Sequence, residues 1–200
     1  MNKSKLHILS TAFNLFLQKS FKEVTMQEIV EKTGMSKGAF YHYFDSKEQL
    51  FIEAVETFYI AIPTTPQKSL NTDSLYGFYH DYLKHISSVF KSLRKSMKAT
   101  NPEQDFNFFS LGLDAMKRYP GFREKIRKVN EGVSNIWINV VKTARKKGEI
   151  ASVMSDKQIA NCFIYINEGI GSRYTLEGRG IEAEKELLHL WDSFYKEIKA

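Results

Sequence analysis

Apolar side chains recur at three- and four-residue steps along almost the whole chain, and that period admits only one regular element. Leu6, Leu9, Phe13, Phe16 and Leu17 share one face of a helix over 4–18. Leu50, Phe51, Ala54, Val55 and Phe58 repeat the pattern, and so does a long run from Leu75 through Phe78, Tyr79, Tyr82, Leu83, Ile86 and Phe90 to Met97. Phe106, Phe109, Leu113 and Met116 form a further face; Phe122, Ile126, Val129, Val133, Ile136, Trp137, Val140 and Val141 form another. Leu187, Leu188, Trp191, Phe194, Tyr195 and Ile198 close the series. With only four prolines and 11 glycines in 200 residues, these stretches can run uninterrupted. No segment alternates as a strand would, and there is no internal repeat. The expected fold is all-α, of about nine helices.

The breaks carry their own chemistry. Thr25-Met26-Gln27-Glu28 and Ser46-Lys47-Glu48-Gln49 have the form of capping boxes, in which a hydroxyl and an acid or amide satisfy free helical amides. Ser36 and Ser155 are placed to cap two further helices, the second running to about Leu176. Gly34 follows Thr33 where a helix end calls for a left-handed residue. Residues 63–74, rich in Pro, Thr, Ser and Asn, read as a linker. Asn101-Pro102, Pro120-Gly121 and Gly178-Arg179-Gly180 are turns. The run Arg145-Lys146-Lys147 before Gly148 reads as a solvated helix end.

Charge and cysteine content narrow the classes. The chain carries +6 and has a pI near 9.2, but residues 1–60 hold seven basic and seven acidic side chains, a balance of zero. The surplus therefore lies in 61–200. Within 1–22 there are four lysines and no acid, and Lys37 and Lys47 flank a short segment of interest. A single cysteine, Cys162, excludes an internal disulfide and any multi-cysteine metal site; its apolar neighbours mark it as a small buried residue. No apolar run approaches the ~18 residues needed to cross a bilayer, and no secretory signal is evident, so a cytoplasmic protein is expected. There is no HExxH, P-loop or GxSxG, no cysteine or histidine cluster, and His80-Asp81 and Glu168 stand alone. This argues against catalysis, and no metal or cofactor is expected.

Segment 25–44 is a short capped helix, a glycine-containing turn and a second short helix, the geometry of a helix-turn-helix. Its residues, Thr25-x-x-x-Ile29-Val30-x-x-Thr33-Gly34-Met35-Ser36-Lys37-Gly38-Ala39-Phe40-Tyr41-His42-Tyr43-Phe44-x-Ser46-Lys47-x-x-Leu50, resemble the signature of the TetR/AcrR family of transcription regulators. The resemblance covers about the first sixty residues. It implies that 1–47 form the DNA-binding domain and 48–200 a helical ligand-binding and dimerisation domain. Thr25 would offer a phosphate its hydroxyl. Ser36, Lys37, Gly38 and Ala39 would begin the recognition helix. Tyr41, His42 and Tyr43 would face the backbone or groove, and Lys47 would meet phosphate. Hydroxyls and lysines suit phosphate oxygens, and small residues let a helix approach base edges. Lys37 would reach a guanine edge or a phosphate.

One recognition helix reads few base pairs, so a homodimer on a near-palindromic double-stranded operator is implied, its two helices about 34–36 Å apart. By the same resemblance the last two helices pair the protomers, with Gly169, Gly171, Leu188, Trp191 and Tyr195 at the interface. The aromatic-rich middle suggests a site for an unknown small-molecule effector, apolar with a few polar groups: Tyr79, Tyr82, Phe106, Phe109, Asn130, Ser134, Trp137, Phe163 and Asn167. The expected function is that of a repressor released by a small hydrophobic or amphipathic ligand. The alternative is a helical carrier of hydrophobic molecules that does not bind DNA, which the neutral charge of 1–60 favours.

Overall fold

A computed structural model describes residues 2–60, 70–96, 103–180 and 182–200. The helices are α1 (Lys3–Gln18), α2 (Met26–Thr33), α3 (Lys37–Tyr41), α4 (Lys47–Ala54), α5 (Leu75–Ser96), α6 (Glu103–Arg118), α7 (Phe122–Lys146), α8 (Asp156–Leu176) and α9 (Ala183–Ile198). A π-helical turn, Val55–Ile60, continues α4. Among the described residues there is no strand, only an isolated bridge between Ile150 and Lys199.

Local signals place most of the boundaries. Thr25, Ser36 and Ser46 each accept from the backbone amide three residues on. Among the described residues, Ser155 completes a reciprocal capping box, through Gln158. At Thr25 the reciprocal partner is diverted, because the Glu28 carboxylate pairs with Lys19 at 2.6 Å. Gly34, Gly121, Gly148 and Gly178 all take positive φ at turns expected from sequence.

The chain forms two compact units, neither of them a continuous segment: Met1–Pro63 with Arg94–Arg127, and Thr64–Leu93 with Lys128–Ala200. A boundary after residue 47 would fall inside the first unit, because α4 packs on α1.

In unit 1, Phe16, Phe21 and Phe51 interlock with ring centroids 4.9–5.8 Å apart. The 109/113/116 face read from the period of α6 is not the buried one. Leu111, Ala115 and, just beyond the helix, Tyr119 are buried, whereas Phe109, Leu113 and Met116 are exposed. Both faces of α6 are apolar, so periodicity cannot choose between them. Shape can: Gly112 leaves room for the Tyr59 hydroxyl, and a methyl there would collide with it.

Glu56, on the π-helical turn, accepts from both the Tyr119 hydroxyl and the Lys125 ammonium. Desolvation works to raise its pKa, but the bonds from Lys125 and Tyr119 and the Lys125 charge outweigh it, so the carboxyl is held below its ordinary value. A carboxyl depressed in the folded state stabilises above its unfolded pKa of about 4.3, and the gain vanishes as pH falls through the folded value. Glu56→Gln should therefore cost at most about 1 kcal/mol at neutral pH, because the pair is partly exposed. Its denaturant midpoint should also fall less than wild type's between about pH 5 and pH 3. Parallel pH curves for the two proteins would refute the assignment.

In unit 2, Tyr79, Trp137, Phe163 and Trp191 form the centre of an aromatic core. Glu149 caps α5 from a distant part of the chain, accepting from the amides of Leu75 and Tyr76, each at 2.9 Å, and from the Tyr195 hydroxyl. Burial, with Glu149 beside it, pushes the Tyr195 phenol up to about 12, so it stays a donor. The expected solvated end at 145–147 holds for Lys146 and Lys147, which are exposed, but Arg145 is drawn into a clamp. Arg145 pairs with Asp156 at 2.8 Å and donates to the carbonyls of Ser152 and Met154, and Lys147 pairs with Asp73. Cys162 is half-buried, not enclosed as its neighbours suggested.

Candidate nucleic-acid interface

α2 and α3 are separated by Gly34, Met35 and Ser36, and Gly34 at φ 67° turns the chain between them. α3 is only five residues long, too short to persist alone, and is anchored by neighbours. Phe40 and Phe44 are fully buried and fix its inner side. Ser36, Lys37, Gly38, Ala39, Tyr41 and His42 are left exposed, and Tyr43 half so. A Cβ at Gly38 would meet nothing, so the surface beside it is open. Thr25 is exposed at the start of α2 while capping it.

Two residues not singled out in the sequence brace this surface. Asn2 caps α1 and donates to the Tyr43 hydroxyl at 3.1 Å. His7 lies 3.1 Å from the Thr33 carbonyl, through Nε2. Neither has a local pattern that would reveal it, since each partner is more than twenty residues away.

Lys47 points inward. Its ammonium donates to the carbonyls of Phe21 and Val24 at 2.8 and 2.7 Å and lies 4.4 Å from the centre of the Phe21 ring. Two of its three donors are engaged by the backbone, so its observed task is to pin α4 to the α1–α2 turn. The lysine-rich start of the chain is similarly compensated: Lys5 pairs with Glu53, and Lys19 with Glu28. The neutrality of 1–60 is nevertheless not the charge of the folded unit. With 94–127 included, unit 1 holds fifteen basic and eleven acidic side chains, a surplus of four.

Of the residues expected to contact a ligand, Tyr79, Tyr82, Trp137 and Phe163 do come together. Trp137 lies 5.2 Å from the Tyr82 ring and 5.1 Å from that of Phe163, and Tyr79 is 5.5 Å from Phe163. Ser134 and Asn167 are half-buried. Asn130 is exposed, and Phe109 belongs to unit 1 and is exposed, so neither joins this cluster. The side chain of Phe106 lies outside the described residues.

Two expected interface residues also need correction. Trp191 is fully buried and donates to the Phe163 carbonyl at 3.0 Å, and Tyr195 is buried against Glu149. Trp191 packs on Phe163 of α8, Trp137 of α7 and Tyr79 and Tyr82 of α5, and Tyr195 on Tyr76 and Tyr79 of α5, so both are consumed within the protomer. Gly169 and Gly171 have nothing within reach of a Cβ, and Leu188 is half-buried.

These features define an all-helical protein with an N-terminal helix-turn-helix. Residues 8–54 match the family model described as bacterial regulatory proteins, tetR family. The chain is 30% identical to the HTH-type transcriptional regulator YerO of Bacillus subtilis (strain 168) over 131 residues, 60% of this chain but only 45% of that relative. It is 22% identical over 105 residues to the biofilm operon icaADBC HTH-type negative transcriptional regulator IcaR of Staphylococcus aureus (strain Newman), covering 50% of this chain and 55% of IcaR. A TetR transcription regulator from Haloarcula marismortui shares the fold over 100% of both chains, with a TM-score of 0.69 at 14% identity. Residues 8–54 thus carry the N-terminal domain that this family model describes, and the rest of the chain shares the fold of solved TetR regulators. No helix among the described residues is long and apolar enough to cross a membrane.

Proposed function

We propose that the protein is a cytoplasmic homodimeric repressor that binds a near-palindromic operator and leaves it when a small hydrophobic or amphipathic molecule binds. The observation that carries this reading is the division of α3 into a buried side, Phe40 with Phe44, and an exposed tip, Lys37-Gly38-Ala39 with Tyr41 and His42. Such a tip fits a major groove, where Ala39 can meet a thymine methyl and Lys37 a guanine edge or a phosphate. Thr25 and Ser36 serve as caps and also turn a helix start toward phosphate. Tyr43 is steadied by Asn2 to face the backbone.

Dimerisation is assigned to α8 and α9. Gly169 and Gly171 disfavour α8 by up to about 1 kcal/mol each relative to alanine, and nothing in the protomer requires them there. Tyr165 and Leu176 on the same helix are 61% and 69% exposed. A second protomer covering this face accounts for both facts. Repression is the family default, and IcaR is a negative transcriptional regulator. Effector binding is assigned to unit 2, around Tyr82, Trp137, Ser134 and Asn167.

The test is selection of bound fragments from random double-stranded DNA, followed by titration of variants. Enrichment of a near-palindrome is expected. Lys37→Ala should weaken binding about tenfold, and if it meets phosphate should lower the salt slope by about one. Lys47→Met should behave differently. It should lower thermal stability by roughly 1–2 kcal/mol, through loss of the charged donor to two carbonyls, with the salt slope unchanged. Unaltered affinity in Lys37→Ala, or no enriched sequence, would overturn the reading.

A further inference from the structure

The hydroxyl of Tyr43 is met by a residue from outside the helix-turn-helix. Asn2, just before α1, donates from its side-chain amide to the Tyr43 oxygen at 3.1 Å. Packing brings the start of α1 there. Lys5 lies 5.3 Å from the centre of the buried Phe44 ring and pairs with Glu53 of α4, and His7 meets the Thr33 carbonyl. The direction of the Asn2–Tyr43 bond is fixed. The Asn2 side-chain oxygen accepts from the Ser4 amide at 2.9 Å and caps α1. Turning the side chain over would set its NH2 group against that N–H and leave the cap empty. The NH2 group only donates, so the phenol oxygen must accept. Tyr43 then has one proton still to place, and no described residue accepts it. Tyr43 is half-exposed, so that proton is open to an acceptor from outside the chain.

We propose that Asn2 is a positioning residue for DNA: by donating to Tyr43 it commits the Tyr43 hydroxyl to donate to a backbone phosphate. The proposal rests on reading this surface as the DNA interface, and it adds a residue that lies outside the helix-turn-helix. Phosphate oxygens accept, so the relay from the Asn2 amide through the Tyr43 hydroxyl to phosphate uses each group in the only sense left to it. A hydroxyl whose oxygen already accepts is polarised as a donor, and a bond to a charged acceptor is about twice as strong as a neutral one. Without Asn2 the hydroxyl turns freely and must be ordered when DNA binds. Neither group is charged, so the contact strengthens binding to every sequence without adding to its salt dependence.

The full chain is titrated with the selected operator and, at low salt, with a duplex of random sequence. Wild type is compared with Asn2→Ser, Asn2→Asp, Tyr43→Phe and the double variant carrying Asn2→Ser and Tyr43→Phe. Serine keeps the α1 cap but is too short to reach Tyr43. Aspartate also keeps the cap, but it cannot donate, and its carboxylate takes the Tyr43 proton instead. Tyr43→Phe should weaken binding to both duplexes about tenfold and Asn2→Ser about threefold, with Asn2→Asp weaker than Asn2→Ser. The double variant should bind like Tyr43→Phe alone, and the salt slopes of Asn2→Ser and Tyr43→Phe should equal that of wild type. A merely structural Asn2 would instead lower the melting temperature and cost the same affinity whether or not the Tyr43 hydroxyl is present. Additive losses in the double variant, wild-type affinity in either Asn2 variant, or unchanged affinity in Tyr43→Phe overturns the proposal. An enriched operator with additive losses removes this proposal alone. Coupling between Asn2 and Tyr43 on random-sequence DNA, without any enriched operator, removes the repressor reading alone.

Discussion

Replacing Trp191 by alanine is expected to destabilise unit 2 by about 3–5 kcal/mol, the range for truncating a fully buried aromatic. The side chain is wholly buried, and its ring lies 5.6–6.3 Å from those of Trp137, Phe163, Tyr79 and Tyr82. It also holds α9 to α8 by donating to the Phe163 carbonyl. Trp191→Phe should keep much of the packing and lose the hydrogen bond, costing about 1–2 kcal/mol. Chemical denaturation of both variants checks this. If Trp191 belonged to the protomer interface, the alanine variant would instead dissociate with its tertiary fold intact, which near-ultraviolet dichroism and sedimentation would show.

The second large effect is expected at Phe21. This residue sits in the α1–α2 turn with two cations over its ring: the Lys47 ammonium is 4.4 Å and the Arg118 guanidinium 4.1 Å from its ring centre. Its amide donates to Asp114 on α6, and its carbonyl accepts from Lys47 on α4. Phe21 thus joins the turn that leads into the helix-turn-helix to two other helices of unit 1. Phe21→Ala should cost about 3–5 kcal/mol and abolish operator retention at temperatures where wild type still binds. Phe21→Leu should restore part of the stability and, with it, the binding. An alanine variant that melts like wild type would show that the turn is held some other way.

The contrast between Lys37 and Lys47 shows where sequence reading stops. Both are lysines at the first position of a short helix, Lys37 of α3 and Lys47 of α4, and from sequence both are expected to reach DNA. Lys37 is exposed on α3, whereas Lys47 is directed into the α1–α2 turn by two carbonyls that lie 23 and 26 residues away in sequence. No local pattern encodes that choice. The same holds for α6, whose two apolar faces are equivalent until Tyr59 meets Gly112. It also holds for Trp191 and Tyr195, whose apolar stripe marks a buried face without saying whether the cover is the same protomer or another chain.

The sequence alone determined the helical class, most helix boundaries and the helix-turn-helix with its caps, because these depend on interactions within four or five residues. Thr25, Gly34, Ser36 and Ser155 act through amides of their own turn, and spacing suffices to locate them. Only the tertiary structure decided which side chains remain available for function. It brought Glu149 to the start of α5, Arg145 to Asp156, and Tyr82 to Trp137, and it joined 94–127 to the N-terminal unit, changing that unit's net charge. Those outcomes depend on which surfaces meet across long stretches of chain, where shape, unpaired donors and charge compensation select among packings that the periodicity of the sequence leaves equal.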